Sequence, residues 1–190
     1  LETTGLAEST AIVFTSDHGD MFGDHGLLLK ASLHYQGCVR VPLVIDVPGR
    51  TASVRDDLVG TIDLAQTILH LAGELEFDGM QGQSLASLVG SANGDGPTRD
   101  ALLVEEDEMV DMARVGQPLR MRTVVGKAGR LTLYQGAEHG ELYDLANDPL
   151  EMTNLFAKPE GRDLRFHLTE RLARLQTEHD DRGRRPTAMA

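Results

Sequence analysis

The stretch from residue 16 to residue 30, SDHGDMFGDHGLLLK, concentrates the side chains that could do chemistry. Asp17 and His18 directly follow an apolar, β-branched run at residues 11–15. Open parallel sheets bind ligands beyond the carboxyl ends of their strands, which is where this pair would stand. Two interpretations follow from the residues alone. A turn into Gly19 lets the carboxylate and the imidazole converge on a divalent cation, or Asp17 caps the loop while His18 bonds a backbone carbonyl.

Lys30 is the second candidate in this stretch, and it follows the apolar residues 27–29. Such a run can hold the aliphatic stem of a lysine while the ammonium faces a pocket. Beside a metal ion, the ammonium would act as a point charge on the oxygens of a sulfate or phosphate group. Near a metal ion, Lys30 would therefore stabilise an anionic substrate, although a lone lysine in a loop is more often simply solvated.

The elements that must position these residues follow from hydrophobic patterning. Continuous apolar runs at residues 11–15 and 41–47 predict two strands buried on both faces of a parallel sheet. A helix is predicted over residues 63–72, because its apolar residues share one face and Gly73 stands where a C-cap belongs. Strand, loop, strand and helix in this order predict part of an α/β sandwich.

The second half of the chain predicts a small antiparallel sheet with one covering helix. Strands are predicted at residues 101–105, 120–125, 130–134 and 141–145, the middle two forming a hairpin. Leucines spaced by four, four and three residues predict the helix over residues 161–179, and residues 181–190 are expected to form a frayed tail. The acidic run at residues 105–108 is expected to be a solvated loop.

Two domains are therefore expected, with a linker rich in Gly, Asn, Asp and Pro at residues 91–97. Residues 1–95 carry 4 basic and 13 acidic side chains, whereas residues 96–190 carry 14 and 17. The predicted fold class is α/β, with the sandwich in residues 1–95 and the antiparallel sheet and helix in residues 96–190.

Composition excludes several classes of function. The chain has 190 residues and a formal net charge of −12, which argues against nucleic-acid binding because a phosphate backbone requires a basic surface. Only 4% of the residues are aromatic and there is no Trp, so a base-stacking surface is not expected. No apolar run approaches the roughly 20 residues of a membrane-spanning helix. Cys38 is the only cysteine, which excludes an internal disulfide.

Four blocks of the sequence resemble, in the same order, the sulfatase branch of the alkaline-phosphatase superfamily. They are SDHGDMFGDHGLLLKASLHYQGCVRVPLVI at 16–45, GTIDLAQTILHLAG at 60–73, MQGQSLASL at 80–88 and ELYDLANDPLEMTNL at 141–155. The first block carries SDHG after a strand, followed by a Gly-rich loop. It then has a lysine at the same spacing from SDHG as in the family, and Arg-Val-Pro at the entry to the next strand. The resemblance implies the C-terminal portion of an alkaline-phosphatase-like α/β sandwich, with residues 1–95 belonging to the metal-binding catalytic domain.

The resemblance also implies roles for four residues. Asp17 and His18 match the two metal ligands that this half of a sulfatase contributes, to one divalent cation that is normally Ca²⁺, with Mg²⁺ or Mn²⁺ as alternatives. Lys30 matches the lysine that contacts the sulfate oxygens, a catalytic and substrate-binding role. His34 lies where some branches carry a substrate-pocket residue, and it is expected to be a catalytic or pocket residue or a packed histidine.

The nucleophile is the main departure from the family. Sulfatases attack with a formylglycine made from Cys or Ser within C/S-x-P/A-x-R, whereas the only cysteine begins CVRVP at residues 38–42, with Arg and Pro in the wrong order. No serine begins the motif, and no upstream aspartate pair completes the metal shell. Because the chain starts at Leu1, we expect it to be cut from a longer protein whose missing N-terminal part supplies these elements. Localisation is left open, since a signal peptide would have been upstream.

The expected function of the complete protein is hydrolysis of a small-molecule sulfate ester. Two other interpretations stay open. A phosphonate monoester hydrolase or phosphodiesterase of the same superfamily would use the Asp-His pair on a phosphorus ester. Alternatively, the chain as it stands is a non-catalytic remnant or binding module, inactive alone and prone to aggregate because its sheet has an exposed edge and an uncovered face.

Overall fold

The computed structural model describes residues 1–30, 32–91, 96, 99–109, 111 and 116–180. The strands are β1 (Ile12–Thr15), β2 (Leu43–Asp46), β3 (Ala101–Asp107), β4 (Arg120–Gly126), β5 (Arg130–Tyr134) and β6 (Gly140–Tyr143). The helices are α1 (Gln36–Val39), α2 (Leu64–Ala72) and α3 (Arg162–Glu178). Each predicted strand and helix is present within two residues of its expected ends. The tail at 181–190 and most of the linker at 91–97 lie outside the described residues.

The contacts divide the chain into two compact units. The first comprises Leu1–Thr15, Pro42–Arg99 and the described residues after Glu178, and the second comprises Ser16–Val41 and Asp100–Glu178. The predicted domain boundary after residue 95 stays a prediction, and the contact units differ from it by placing Ser16–Val41 with the later strands. Within the described ranges, no helix has both the length and the apolar character needed to cross a membrane.

The first unit contains a two-stranded sheet in which β1 and β2 pair antiparallel, Phe14 opposite Val44. The expectation of a parallel arrangement is therefore wrong for these two strands. A parallel pair needs a crossover, usually a helix of several turns, and the one α-helix between them in the described residues is the four-residue α1. The expectation of burial on both faces is also wrong, since Phe14 is 61% and Val44 57% exposed. The face of this sheet that carries Phe14 and Val44 is uncovered, as expected for the chain by itself.

Asp63 anchors the start of α2 within the first unit. Its side chain is fully buried, and its carboxylate accepts the backbone N–H groups of Gly60 and Gln83 at 2.9 and 2.8 Å. The guanidinium of Arg99 donates two further bonds at 2.9 and 2.8 Å. These four donors compensate the desolvation of the charge. Gly73 ends α2 with a left-handed φ of 75°, as the predicted C-cap requires.

The second unit is built on an antiparallel sheet in the order β3-β4-β5-β6, with α3 packed on one face. Side chains alternate along a strand, so one face of the sheet can be apolar and the other polar. The buried residues of the core between sheet and helix are Ala101, Val124, Leu131, Leu142, Phe156, Leu168, Leu172 and Leu175. The predicted leucine stripe supplies the helical side of this core, which confirms the antiparallel sheet with a covering helix.

Candidate metal centre

Asp17 and His18 form a turn immediately after β1. The Nδ1–H group of His18 donates a hydrogen bond to the carbonyl oxygen of Gly19 at 2.8 Å. Because a carbonyl oxygen only accepts, the neutral ring carries its proton on Nδ1 and its lone pair on Nε2, the form in which imidazole binds a metal. Nε2 lies 3.5 Å from Oδ2 of Asp17. The structure therefore brings these two donor atoms to one place.

The carboxylate of Asp17 is accessible and favoured in its ionised form. Its side chain is 85% exposed, and Oδ1 accepts the backbone N–H of His18 at 3.0 Å. This hydrogen bond is the largest of the influences that lower the pKa of Asp17. An ionised, solvent-facing oxygen is what a divalent cation requires of a carboxylate ligand.

The pair fits two positions in the coordination shell of a divalent cation. Across the described part of the chain, no group of three or more His, Cys, Asp or Glu side chains could hold an ion. Ca²⁺ takes roughly six to eight oxygen ligands, and Zn²⁺ about four ligands of nitrogen, sulfur or oxygen. A complete centre therefore needs donors in addition to Asp17 and His18.

Lys30 ends the Gly-rich loop with a fixed backbone and an exposed side chain. Its N–H donates to Oδ1 of Asp20 at 2.8 Å, and its carbonyl oxygen accepts the thiol of Cys38 at 3.7 Å. The expectation that residues 27–29 cover its stem is not supported, because Leu28 is 70% and Leu29 67% exposed. The structure fixes the course of the chain at Lys30 without burying its side chain.

His34 is buried away from solvent, with 4% of its side chain exposed. Nδ1 lies 2.7 Å from Oγ1 of Thr123, and Nε2 lies 3.1 Å from Oε2 of Glu106. An ionised carboxylate only accepts, so Nε2–H donates to Glu106 and Nδ1 accepts the hydroxyl of Thr123. Both ring nitrogens are therefore engaged by β3 and β4. Of the interpretations open for His34, these contacts fit the packed histidine.

The pH dependence of stability gives a test of this environment. Burial, aided by the charge of Arg130, lowers the pKa of His34 below its ordinary 6.5, against the opposing influence of Glu106 and Glu141. The unfolded chain then binds more protons than the folded one, so the stabilisation is complete above pH ~6.5 and is lost as the pH falls through the lowered value. We expect the free energy of unfolding to fall by up to about 1.4 kcal/mol per pH unit in that window.

The His34→Gln variant is expected to remove this part of the pH dependence, measured as the difference in unfolding free energy between pH 7.5 and pH 5.5. His167→Gln serves as the control because His167 is exposed on α3. An unchanged difference in His34→Gln would show that His34 does not titrate in a buried environment.

The sequence analysis did not identify two acidic residues, Glu106 and Glu108, that contact residues 32–34. Residues 105–107 of the run 105–108, which was expected to be a solvated loop, instead belong to β3, so the expectation of a loop was wrong for them. Glu106 accepts the bond from His34, and Glu108 accepts the hydroxyl of Ser32. An acidic run by itself does not distinguish a solvated loop from the end of a strand. Period-two alternation extended from the apolar part of β3 could have revealed the inward side chains.

A cavity of about 460 Å³ lies elsewhere in the second unit, at the start of α3. Its lining residues are Phe156, Ala157, Lys158, Pro159, Arg162, Arg165, Phe166 and Thr169. None of the four predicted site residues lines this cavity.

Comparison with known proteins identifies the family. The matching family model is described as N-sulphoglucosamine sulphohydrolase, C-terminal, and it covers residues 23–178. That range includes Lys30 and His34 and begins after Asp17 and His18. Because the match covers most of the chain, the chain belongs to the sulfatase family and corresponds to its C-terminal part.

Relatives and solved structures agree with this assignment. A choline-sulfatase of Rhizobium meliloti (strain 1021) is 33% identical over 162 residues, 85% of this chain and 30% of the relative. A protein solved with its substrate D-glucosamine-2-N,6-O-disulfate has a TM-score of 0.78 at 27% identity, covering 99% of this chain and 38% of the other. The phosphonate monoester hydrolase of Agrobacterium radiobacter has a TM-score of 0.81 at 27% identity, covering 94% and 37%.

These similarities confirm the predicted alkaline-phosphatase-like α/β fold class. The chain spans about a third of the length of these proteins.

Proposed function

We propose that the protein carrying this chain is a sulfuric ester hydrolase, and that this chain supplies two metal ligands and a lysine that contacts the sulfate group. The observation that carries the proposal is the turn after β1, where Nε2 of His18 and Oδ2 of Asp17 lie 3.5 Å apart. Membership of the sulfatase family supports the same reaction class. The proposed substrate is a small-molecule sulfate ester.

One divalent cation is the proposed cofactor, with Ca²⁺ as the first choice and Mg²⁺ or Mn²⁺ as alternatives. Asp17 would give it an anionic oxygen, and His18 a neutral nitrogen through Nε2. The bond from Nδ1 of His18 to the Gly19 carbonyl holds the ring in the tautomer that this role requires. When bound, such a cation acts as a Lewis acid on the ester and as a template for the reacting groups.

Lys30 is proposed to bind the sulfate oxygens and to offset the charge that develops on the transferring group. A charge-assisted hydrogen bond of this kind contributes about 1.5–3 kcal/mol. The hydrogen bond that the backbone N–H of Lys30 donates to Asp20 supports this role by holding the end of the loop. His34 is assigned no contact with substrate, because Thr123 and Glu106 already occupy both of its ring nitrogens.

The nucleophile is proposed to be a formylglycine in a part of the protein outside this chain. Cys38 does not suit that role, because it begins CVRVP and not C/S-x-P/A-x-R, and its side chain is 4% exposed. The active centre would then be completed by the N-terminal part of the same protein.

Phosphonate monoester hydrolysis is the second candidate. The observation that favours it is the similarity to the phosphonate monoester hydrolase of Agrobacterium radiobacter, at a TM-score of 0.81. Sulfate and phosphonate monoesters both present anionic oxygens, so a cation held by Asp17 and His18 with Lys30 beside it would serve either substrate. The choice between them depends on a direct comparison of the two esters.

The test compares 4-nitrophenyl sulfate with 4-nitrophenyl phenylphosphonate, which share one leaving group, as substrates of the full-length protein. We expect a higher kcat/KM for the sulfate, loss of activity after chelation and recovery on addition of Ca²⁺. A higher kcat/KM for the phosphonate would replace the proposal by the second candidate. The 190-residue chain alone is expected to hydrolyse neither ester, and turnover by it would contradict the assignment of the nucleophile.

A further inference from the structure

A buried guanidinium lies on the polar face of the sheet in the second unit. Arg130 is 0% exposed. Its Nε donates to Oε1 of Glu151 at 2.5 Å, and its Nη1 donates to Oε2 of Glu141 at 2.9 Å. The guanidinium carbon also lies 4.9 Å from the ring centre of Tyr35 and 4.8 Å from that of Tyr143. A buried cation therefore holds two carboxylates and two aromatic rings around it.

Glu151 connects this cation to the segment that carries α1. While Oε1 accepts Arg130, Oε2 accepts the backbone N–H of Gln36, the first residue of α1, at 2.6 Å. Glu151 is 3% exposed and has a φ of 57°, a left-handed conformation that non-glycine residues rarely adopt. Strained backbone of this kind persists where surrounding contacts determine it. Here the contacts are made by both oxygens of one carboxylate.

The short helix α1 in turn holds the turn that carries the proposed ligands. The carbonyl oxygen of Cys38 accepts the N–H of Gly19 at 2.8 Å. The approach is so close that a Cβ at Gly19 would lie 2.0 Å from the carbonyl oxygen of Gly37. The carbonyl of the same Gly19 accepts Nδ1–H of His18. The peptide groups of Gly19 therefore link α1 directly to the ring of His18.

We propose that Glu151, charged and held by Arg130, is a positioning residue for the cation site. It fixes the first amide of α1, α1 fixes Gly19, and Gly19 fixes the orientation of His18 relative to Asp17. The inference rests on the proposed function, because it assigns Glu151 a part in the same cation site. Partners that orient a metal ligand without touching the metal typically change metal affinity by about 10–100-fold when they are replaced.

Glu141 provides a matched control, because it is a second carboxylate partner of Arg130 and makes no hydrogen bond to α1. Glu151→Gln and Glu141→Gln therefore each remove one negative charge from the same guanidinium. Only Glu151→Gln weakens the carboxylate contact to Gln36. A role confined to compensating the buried charge of Arg130 would give both variants the same cation affinity.

The experiment measures Ca²⁺ affinity by calorimetry and amide hydrogen exchange of the peptide containing Gly19 in the full-length protein. We expect Glu151→Gln to weaken Ca²⁺ binding about 10–100-fold and to speed exchange at Gly19, and Glu141→Gln to change affinity less than about 3-fold. Equal changes in the two variants, or unchanged exchange and affinity in Glu151→Gln, would overturn the inference. Failure of the wild-type protein to bind a divalent cation would overturn the proposed function itself.

A second pair of variants tests the other end of the connection in case Glu151→Gln does not fold. Gly19→Ala must separate the turn from α1, because its Cβ would lie 2.0 Å from the Gly37 carbonyl oxygen. Gly37→Ala is the control, since the nearest atom to its Cβ is a side-chain oxygen of Asp24 at 3.4 Å. We expect reduced Ca²⁺ affinity only in Gly19→Ala. Equal affinities of the two variants would contradict the role of the Gly19 contact.

Discussion

Asp17→Asn in the full-length protein is expected to weaken Ca²⁺ binding by at least about 100-fold, the upper end of the effect of outer-shell partners. Asn keeps the size of the side chain and an oxygen that can accept the backbone N–H of His18, now 3.0 Å from Oδ1. It loses the negative charge and the second oxygen, which lies 3.5 Å from Nε2 of His18. The substitution therefore removes the anionic oxygen of the proposed ligand with little change to the turn.

The measurement is a Ca²⁺ titration by calorimetry, with kcat/KM for the sulfate ester recorded at the same Ca²⁺ concentrations. We expect activity to fall in parallel with site occupancy and to recover in part at high Ca²⁺. Asp46→Asn is the matched control, because Asp46 is an exposed aspartate at the end of β2. Wild-type affinity in Asp17→Asn would remove Asp17 from the proposed site.

Leu142→Ala is expected to lower the free energy of unfolding by about 2–5 kcal/mol. Leu142 is 0% exposed and belongs to the core between the sheet and α3. The truncation removes transfer free energy and leaves a cavity that neighbours such as Leu131 and Phe156 fill only in part. Domains are commonly stable by only about 5–15 kcal/mol, so the loss is a large fraction of the total.

The measurement is urea denaturation of the full-length protein followed by a probe in the second unit, such as hydrogen exchange in β5 and β6. Leu150→Ala makes the same chemical change at a side chain that is 73% exposed. It is expected to alter the free energy of unfolding by no more than about 0.5 kcal/mol. Similar effects of the two substitutions would contradict the assignment of Leu142 to the core.

The antiparallel sheet and its covering helix could be predicted because local periodicity encodes them. The leucine spacing of α3 places Leu168, Leu172 and Leu175 on one buried stripe. The hairpin of β4 and β5 follows from two runs separated by a short Gly-containing turn. In contrast, the relation of β1 to β2 could not be read from their apolar runs, because strand composition does not specify which direction the returning chain takes.

The candidate centre, too, could be predicted from the sequence only in part. Asp17 and His18 are adjacent, so the residue types and the following glycine were enough to suggest that their side chains converge. The residues that surround His34 could not be predicted from its neighbours in the sequence. Its partners Thr123 and Glu106 lie 89 and 72 residues along the chain, and the contact of Glu151 with Gln36 spans 115.

The sequence by itself determined the elements, the buried stripe of α3, the candidate ligand pair and the sulfatase resemblance, because each of these is carried by neighbouring residues. The tertiary structure decided that β1 and β2 pair antiparallel, that His34 is buried, and that Glu151 reaches α1. The last two features depend on which segment lies against the polar face of the sheet in the second unit, and the first depends on the course of the chain between β1 and β2. Periodicity selects the inward side chains of one element, but it carries no information about which distant element meets them.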